Sequence, residues 1–308
     1  MTRYIIRRLL QFIPVLLIAT LLVYAMVFLM PGDPIRALAG DRPMSDAVRE
    51  TLREQYNLND PFLVQYGKYI WGVFTAADFG TTFTGRPVLE IIQQRLPVTL
   101  QLAAVALIIQ AVIGIIAGAL AAIYRDRFID RLVQVSTVVV VALPVIAIGF
   151  LLQLVFGLNL GWFPIAGARE GLISFVLPGL TMAAVSTAMV ARLLRGELMD
   201  ALHSDYVRTA TAKGMKRGRV VGRHAMRNSL IPVVTFLGAD LATMMGGSIV
   251  VESIFNLPGL GNQVFQSIQA QEGTVVVGIV TLFVMFFVVV NLVVDLLYGL
   301  LDPRIRYE

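Results

Sequence analysis

Long apolar runs alternate with shorter polar segments along the whole chain. Six of these runs reach the roughly 20 residues that a helix needs to cross the hydrocarbon core of a bilayer. They are Leu9–Met30, Val98–Ile123, Leu132–Leu154, Leu172–Leu194, Val233–Val251 and Val275–Leu297. The pattern predicts an all-α integral membrane protein with six transmembrane helices, organised as one domain over residues 1–308. We expect a first span at 9–30, a long segment outside the membrane at 31–97 and a five-span core at 98–300.

Composition supports a membrane protein and argues against several kinds of enzyme. Charged residues make up 15% of the chain, against about 25% in an ordinary soluble domain. The absence of cysteine excludes disulfides, iron–sulfur clusters and thiol catalysis. The chain has no Gly-x4-Gly-Lys-Ser/Thr motif, so it does not bind ATP through a P-loop. No catalytic triad or carboxylate pair stands out, and the two histidines, His203 and His224, have no clustered ligands that would predict a metal site.

The distribution of arginine and lysine predicts the orientation in the membrane. The N-terminus, the loop Tyr124–Arg131, the segment Asp205–Pro232 and the C-terminal tail are all basic, and they alternate correctly for one side. Because basic loops remain in the cytoplasm, we expect both termini there. Orientation also accounts for the net charge of +5, so a nucleic-acid partner is not expected.

The long segment between the first two spans, 31–97, therefore lies on the outer side of the membrane. Ser45 is placed to cap a short helix over Asp46–Tyr56. Aromatic residues interleaved with glycines follow, at Tyr66, Tyr69, Trp71, Phe74, Phe79 and Phe83. Two interpretations remain open: an external lid that touches a delivery protein, or an interfacial segment resting at the lipid headgroups.

The basic segment at 203–232 has the residue pattern of two short helices separated by a break. Ser204 or Asp205 can cap a helix that continues to Lys213, and Gly214 stands where a helix C-cap favours a left-handed residue. A second helix is expected from Lys216 to Asn228, with Pro232 opening the next span.

One side of the first of these helices carries Val207, Ala210 and Thr211. Small side chains there would allow a partner to approach the backbone closely. The cationic positions along the segment would hold lipid headgroups or acidic groups of that partner. A solvated basic loop without a partner is the alternative.

Motifs spread along nearly the whole chain resemble one family. The basic segment reads Asp205-Tyr-Val-Arg-Thr-Ala-x-Ala-Lys-Gly214, then Arg223-His-Ala-x-Arg-Asn228 and Leu230-Ile-Pro232. Other matching stretches are Phe28-Leu-Met-Pro-Gly-Asp-Pro34, Tyr56-Asn-Leu-Asn-Asp-Pro61, Glu252-Ser-Ile-Phe-Asn-Leu-Pro-Gly-Leu-Gly261 and Leu301-Asp-Pro-Arg304. Together they resemble the inner-membrane permeases of dipeptide, oligopeptide and nickel-type ABC importers, and the first, "B" permease of the pair in particular. The general Glu-Ala-Ala…Gly signature of such permeases is matched only at Ala210 and Gly214, with Arg208 where glutamate is usual.

This resemblance implies a type I importer permease with a cytoplasmic coupling helix, in the inner membrane of a bacterium. It implies a second homologous permease, two ATPase subunits that bind ATP and Mg²⁺, and an extracytoplasmic substrate-binding protein or lipoprotein, with no cofactor on this chain. Residues expected to couple to the ATPase are Asp205, Tyr206, Arg208, Thr209, Ala210, Lys213 and Gly214. Residues expected at an outer gate are Phe255, Leu257, Pro258, Gly259 and Gly261.

The resemblance leaves the substrate open. A dipeptide or oligopeptide is the first expectation, with nickel complexes or glutathione as alternatives in the same family. An ion-coupled secondary transporter is less well supported, because it should carry paired ionisable residues at mid-membrane. Only Asp240 in the fifth span meets that description.

Several residues inside the spans have two interpretations. Asp240 is either a residue of the transport pathway or a carboxylate hydrogen-bonded to Thr235, Thr243 or a neighbouring helix. The small residues at Gly114 and Gly118, and those at Gly246, Gly247 and Ser248, are suited to close packing of helices or subunits. Pro144 is expected to kink the third span.

Overall fold

The computed structural model describes residues 2–28, 50, 53, 59–82 and 84–301, with the backbone alone at 2–9 and 297–301. The predicted helix Asp46–Tyr56 lies outside this part of the chain except for Glu50 and Arg53, which are helical. Its cap Ser45, the Pro31–Pro34 motif and the tail after Leu301 also lie outside the described residues.

Ten named helices make up most of the described chain. In order they are α1 (Thr2–Phe28), α2 (Phe62–Ala76), α3 (Val88–Ile123), α4 (Phe128–Ala142), α5 (Val145–Leu152), α6 (Val176–His203), α7 (Asp205–Ala212), α8 (Met226–Ile254), α9 (Leu260–Gln269) and α10 (Gly273–Leu301). A π-helical stretch, Gln153–Asn159, prolongs α5, and a 3₁₀ turn, Gly171–Phe175, precedes α6. The helix turn Arg217–Arg219 and π-helical Val220–Ala225 lead into α8.

Five helical stretches among the described residues are long and apolar enough to cross a membrane. They are Leu10–Phe28, Val88–Ile123, Gly171–His203, Arg217–Ile254 and Gly273–Leu296. Each contains or nearly matches one of the apolar runs in the sequence, so the prediction of an all-α membrane protein is confirmed. The helices extend beyond most of the runs because α-helical hydrogen bonding continues into the polar flanks.

The third predicted span, Leu132–Leu154, is not one helix but two. α4 and the stretch Val145–Asn159 meet at a bend of 108° and form a sixth span only if the bent pair is counted as one. Proline disfavours helical geometry in the residue before it, and Leu143 accordingly is extended, with φ −89° and ψ 135°. The predicted effect of Pro144 is confirmed, and the resulting bend is much larger than an ordinary helix kink.

α3 and α6 pack closely, and the contact depends on glycine. A Cβ atom placed on Gly114 would lie 2.6 Å from the side chain of Val190, and one placed on Gly118 would lie 2.6 Å from the carbonyl oxygen of Ala191. On the other helix, a Cβ on Gly179 would lie 2.8 Å from Val105. The prediction of close packing at Gly114 and Gly118 is therefore confirmed, since no larger residue fits at this separation.

The second group of small residues behaves differently. A Cβ on Gly246 or Gly247 would meet nothing within 4 Å in the described part of the chain. Ser248 is buried, and its hydroxyl donates to the carbonyl oxygen of Met245 at 2.7 Å. These two glycines lie on the outer side of α8, so the expectation that they pack against another helix of this chain is wrong. Their packing against another subunit stays a prediction.

A buried ion pair ties the start of α4 to the second half of α6. The side chain of Asp130 is 1% exposed and accepts two hydrogen bonds from the Arg195 guanidinium, at 2.6 and 2.8 Å. The same carboxylate accepts from the Gln134 amide at 2.8 Å and from the Asp126 backbone N–H at 2.9 Å. Four hydrogen bonds satisfy this buried charge and fix the start of α4 against the middle of the bundle.

Candidate functional site

A single residue, Ser204, separates the end of α6 at His203 from the start of the predicted coupling helix, α7. Ser204 occupies the N-cap position, and its carbonyl oxygen accepts from the N–H groups of Val207 and Arg208, both at 3.1 Å. Its hydroxyl does not cap α7 but donates back to the carbonyl oxygen of Ala201. The two helices are therefore joined by a single turn with little room for independent motion.

One face of α7 packs into the body of the chain. Val207 and Ala210 are 6% and 5% exposed, and they belong to the same apolar cluster as Leu198, Val220 and Ala225. The expectation that Val207 and Ala210 offer a small-residue surface to a partner is wrong for these two residues. Their short side chains instead let α7 lie close to α6 and to the π-helical stretch that precedes α8.

The opposite face of α7 is exposed and is not covered by other described residues of the chain. Tyr206 is 43% exposed, and Asp205, Arg208, Thr209 and Lys213 are also exposed. Asp205 and Arg208 approach to 3.7 Å, a surface ion pair that contributes little to stability. The available surface thus combines an aromatic ring with polar and cationic groups, which is the composition of many protein–protein contacts.

The break after α7 is at the predicted residue. Gly214 has φ +75°, in the left-handed region, and its N–H donates to the carbonyl oxygen of Thr211 at 2.9 Å. A left-handed residue after a helix is favourable for glycine because it has no Cβ. The predicted C-terminal break at Gly214 is confirmed.

The second predicted helix, Lys216–Asn228, does not end before the next span. Helical structure runs from Arg217 through the π-helical stretch and without a break into α8, with Pro232 inside that helix. The prediction that Pro232 begins the fifth span is therefore wrong, because the helix starts before it. A proline within a membrane helix is tolerated where neighbouring groups and local π-helical adjustment accommodate the lost hydrogen bond.

The predicted outer gate lies between α8 and α9 and centres on a buried carboxylate. Glu252, on the last turn of α8, is fully buried. It accepts from the Thr99 hydroxyl of α3 at 2.7 Å and from the Asn262 backbone N–H of α9 at 2.9 Å. The Thr99 oxygen also accepts from the Leu260 backbone N–H at 2.8 Å. Two side chains therefore satisfy N–H groups at the start of α9, which have no partner within that helix.

Close approach explains the glycines of this turn. A Cβ on Gly259 would lie 2.3 Å from the Glu252 carboxylate, and one on Gly261 would lie 2.6 Å from the backbone nitrogen of Ile249. Phe255 and Leu257 are buried in a cluster between α3, α6 and α8, whereas Pro258 is exposed. The turn is thus packed into the bundle on one side and open on the other.

Sequence reasoning noted Glu252 only as part of a motif and did not single out Thr99. A carboxylate at the end of an apolar run is costly unless it is hydrogen-bonded, so Glu252 itself carried a usable signal. Thr99 carried none, because a threonine inside a membrane helix most often bonds to its own helix.

Comparison with known proteins places this arrangement in a family. Residues 114–307 match the family described as "Binding-protein-dependent transport system inner membrane component". Residues 1–103 match the N-terminal part of such membrane components. The chain belongs to this family of importer permeases. It is the membrane subunit of an ABC importer, a multi-pass protein of the inner membrane that functions with a partner permease, an ATPase and a substrate-binding protein.

Two relatives align with the permease from end to end. The glutathione transport system permease protein GsiC of Salmonella paratyphi A (strain ATCC 9150 / SARB42) is 42% identical over 310 residues, covering 100% of both chains. The protein of the same name from Escherichia coli (strain K12) is 41% identical over 310 residues, again covering 100% of both. The match therefore includes both the α7 surface and the α8–α9 turn.

A solved structure shares the fold. It is described as "Inward facing conformations of the MetNI methionine ABC transporter: CY5 native crystal form", with a TM-score of 0.57 and 18% sequence identity. The match covers 70% of the permease and 98% of the other chain. At this identity the likeness supports the type I importer fold, and it confirms the fold class expected from the sequence.

Asp240 is the remaining residue that the sequence predicts as a candidate for the transport pathway. Thr243 donates its hydroxyl to the Asp240 backbone oxygen at 2.8 Å and lies 3.3 Å from Oδ1. Oδ2 is buried and has no hydrogen-bond partner among the described residues. Thr235, the other expected partner, donates to Ile231 instead. Of the two carboxylate oxygens of Asp240, only Oδ1 therefore has the hydrogen bond that the second interpretation expects.

No cluster of metal-ligating side chains is found in the part of the permease that the structure describes. Within those ranges, no three or more His, Cys, Asp or Glu side chains come together as metal ligands would. His203 Nδ1 lies 2.7 Å from the carbonyl oxygen of Met199, in a contact that orients the ring locally. That ATP and Mg²⁺ bind to other subunits stays a prediction.

Replacing Glu252 by alanine should loosen the start of α9. The change removes the acceptor of the Asn262 N–H and one partner of the Thr99 hydroxyl, and an unsatisfied buried donor costs about 1–3 kcal/mol. We expect hydrogen–deuterium exchange of the Leu260–Asn262 amides to become about tenfold faster or more.

Glu170→Ala is the control, because that carboxylate is exposed on a neighbouring loop. Unchanged exchange of these amides in Glu252→Ala would show that the carboxylate does not hold α9.

Proposed function

We propose that this permease forms half of the translocation pathway of an ATP-driven importer of small peptides. The complex contains a second homologous permease, two ATPase subunits and an extracytoplasmic binding protein. The observation that carries the proposal is the construction of α7, which is fixed to the bundle through Val207 and Ala210 and presents Tyr206 and Arg208 outward. A helix of this kind can receive a force on one face and transmit it through the other.

The proposed transmission follows the packing of the chain. α7 shares an apolar cluster with α6 and with residues that lead into α8. α6 in turn packs on α3 through the glycine contacts, and α8 ends at the Glu252 turn. Closure of the ATPase subunits on ATP would move α7, and α6 and α8 would move with it as packed units. The spans would then alternate between outward-open and inward-open arrangements.

The proposed orientation places α7 and both termini in the cytoplasm. Its support is the arginine and lysine content of the segment 203–232 and of the loop between α3 and α4. The α8–α9 turn and α2 then face the outside, where the substrate arrives. On this assignment the residues from Phe255 to Gly261 close the outer mouth of the pathway.

Glutathione is the first candidate for the transported peptide. The support is that relatives 41–42% identical over the whole chain are glutathione transport system permeases. Glutathione is one of the two alternatives that the sequence left open, and we place it ahead of the dipeptide or oligopeptide that was the first expectation. Nickel complexes have no support from these relatives.

Asp240 is the residue we propose for the pathway. Its Oδ2 has no partner in the described chain, and its helix neighbours Leu241 and Met244 belong to a cluster in which α3, α6 and α8 meet. A carboxylate left unpaired within a span is costly unless a substrate, water or another subunit provides hydrogen bonds. In this proposal the cationic amino group of a peptide is the group that Asp240 attracts.

The double variant Tyr206→Ala/Arg208→Ala should uncouple the transporter. Loss of the exposed ring and cation from α7 is expected to reduce ATP-dependent uptake by more than about tenfold, as removal of two interface anchors does. The amount of permease in the membrane should not change, because both side chains are exposed.

Tyr124→Ala/Arg125→Ala is the matched control, with an exposed tyrosine and arginine in another loop of the same predicted side. Equal uptake by the two double variants would contradict the coupling role.

Cells that lack their own glutathione uptake and express the complete transporter should accumulate labelled glutathione. Uptake should require the ATPase subunits and should be competed by unlabelled glutathione more strongly than by nickel. Uptake of a dipeptide but not of glutathione would refute this substrate while leaving the importer assignment intact. Uptake driven by an ion gradient without ATP would refute the importer mechanism.

Asp240→Asn should reduce peptide uptake without reducing the thermal stability of the permease. The substitution keeps the size of the side chain and its contact with Thr243 but removes the charge. Thr243→Ala, which removes the hydrogen bond to Asp240, should have the smaller effect on uptake. Wild-type uptake by Asp240→Asn would show that the carboxylate has no part in the pathway.

A further inference from the structure

α2 has three distinct sides, and one of them is apolar and uncovered. Its inward side consists of Phe62, Tyr66, Tyr69 and Val73, which contact α1 and α10 or the cluster around the start of α3. The outward stripe includes Leu63, Val64, Trp71 and Phe74, with exposures of 69%, 46%, 72% and 55%. Gly67 lies in the same stripe and a Cβ there would meet nothing within 4 Å.

Polar residues are confined to one edge of this stripe. Lys68 and Thr75 are exposed and follow each other at helical spacing along that edge. Lys68 forms an ion pair with Asp60 at 2.5 Å, just before the helix begins. An apolar stripe bordered by a polar edge is the pattern of a helix that lies at a membrane surface.

Hydrogen bonds from the inward side locate α2 relative to the bilayer. The Tyr66 hydroxyl donates to the Leu17 carbonyl oxygen at 2.7 Å and lies 2.8 Å from the Thr20 hydroxyl. Both residues are in the middle of the apolar span Leu10–Phe28. At 1.5 Å of rise per residue, Thr20 is about 12 Å and Leu17 about 16 Å along the helix from Phe28, the last residue of α1 that the structure describes.

A second tyrosine gives the same depth on a different helix. The Tyr69 hydroxyl donates to the Thr281 hydroxyl at 3.1 Å. α10 begins at Gly273, so Thr281 lies about 12 Å inside that span. Even after the length of a tyrosine side chain is subtracted, the axis of α2 lies beside the apolar stretches of α1 and α10 and not beyond Phe28 or Gly273.

Lipid is the occupant that this position allows. Only 11% of the residues in the apolar window of α1 are buried within the chain, so α1 itself lies at the periphery of the bundle. α2 packs on α1 and directs its apolar stripe away from the bundle. A water-soluble delivery protein does not reach this depth, and an apolar stripe there is satisfied by acyl chains without any hydrogen bond.

We propose that α2 is an interfacial helix embedded in the leaflet where α1 ends, with Leu63, Trp71 and Phe74 among the acyl chains and Lys68 and Thr75 toward the headgroups. The proposal decides between the two interpretations of the aromatic segment in favour of lipid. It does not depend on the transported substrate. The leaflet is the outer one if the N-terminus is cytoplasmic, as proposed above, but the embedding itself does not depend on orientation.

Because the chain has no cysteine, single cysteines can test the proposal in the complete transporter. The variants are Trp71→Cys, Phe74→Cys and, on the polar edge of the same helix, Thr75→Cys. Each is treated with a polyethylene-glycol maleimide in membranes opened by sonication, so that both surfaces are accessible, and modification is read as a mobility shift of the tagged permease.

We expect Cys at position 75 to react readily and those at 71 and 74 to react at least about tenfold more slowly, because maleimide is attacked by the thiolate and a thiolate does not form in hydrocarbon. Detergent denaturation should make all three react. Equal rates at 71 and 75 in intact membranes would overturn the proposal. So would a fast reaction at 71 that becomes slow only when the binding protein is added.

A nitroxide at position 71 separates lipid from a covering protein. In a transporter whose other subunits lack cysteine, lipid contact predicts frequent collisions with oxygen, which concentrates in the bilayer, and rare collisions with a water-soluble nickel chelate. Low collision rates with both reagents would show that protein covers the stripe and would overturn the proposal. Only variants that still take up substrate are compared, because uptake shows that the transporter has assembled.

Discussion

The contact between α3 and α6 is the one on which the rest of the bundle depends. Gly114 and Gly118 let the two backbones approach until the carbonyl oxygen of Ala191 occupies the space of a missing side chain. In a bilayer, apolar surface has no preference for another helix over lipid, so association relies on such close packing. The two helices therefore act as one rigid element that runs through the molecule, and the functional surfaces are attached at its ends.

Each end of this element carries a buried carboxylate that ties further helices to it. At one end Asp130 holds α4 to α6 through Arg195, in the half of α6 that leads into α7. At the other end Glu252 joins α8 and α9 to Thr99 of α3. Both carboxylates have several hydrogen bonds, which is the condition under which a buried charge is tolerated. The arrangement connects the proposed coupling surface to the proposed outer mouth through packed helices.

The peripheral helices α1 and α2 are held to the bundle by aromatic contacts and not by close glycine packing. α1 and α2 contribute few residues to the buried clusters of the bundle and contact it mainly through aromatic side chains, with Tyr24 at the centre of four ring contacts. Tyrosine suits this place because it joins an apolar ring to a hydroxyl that can satisfy a polar group at depth. The rings thus anchor a surface helix to the bundle while its other side remains with lipid.

The sequence by itself determined the class of protein, the rough positions of five of the spans, and the break at Gly214. These follow from length, hydrophobicity and backbone conformation, which are local properties of the chain. The structure alone decided which face of α7 is free, that Pro232 lies within a helix, that α4 and α5 meet at a sharp bend, and that Thr99 belongs with Glu252. Those outcomes depend on which surfaces meet. Thr99 and Glu252 are far apart along the chain, and no local pattern records that the packing of α3 against α8 brings them to 2.7 Å.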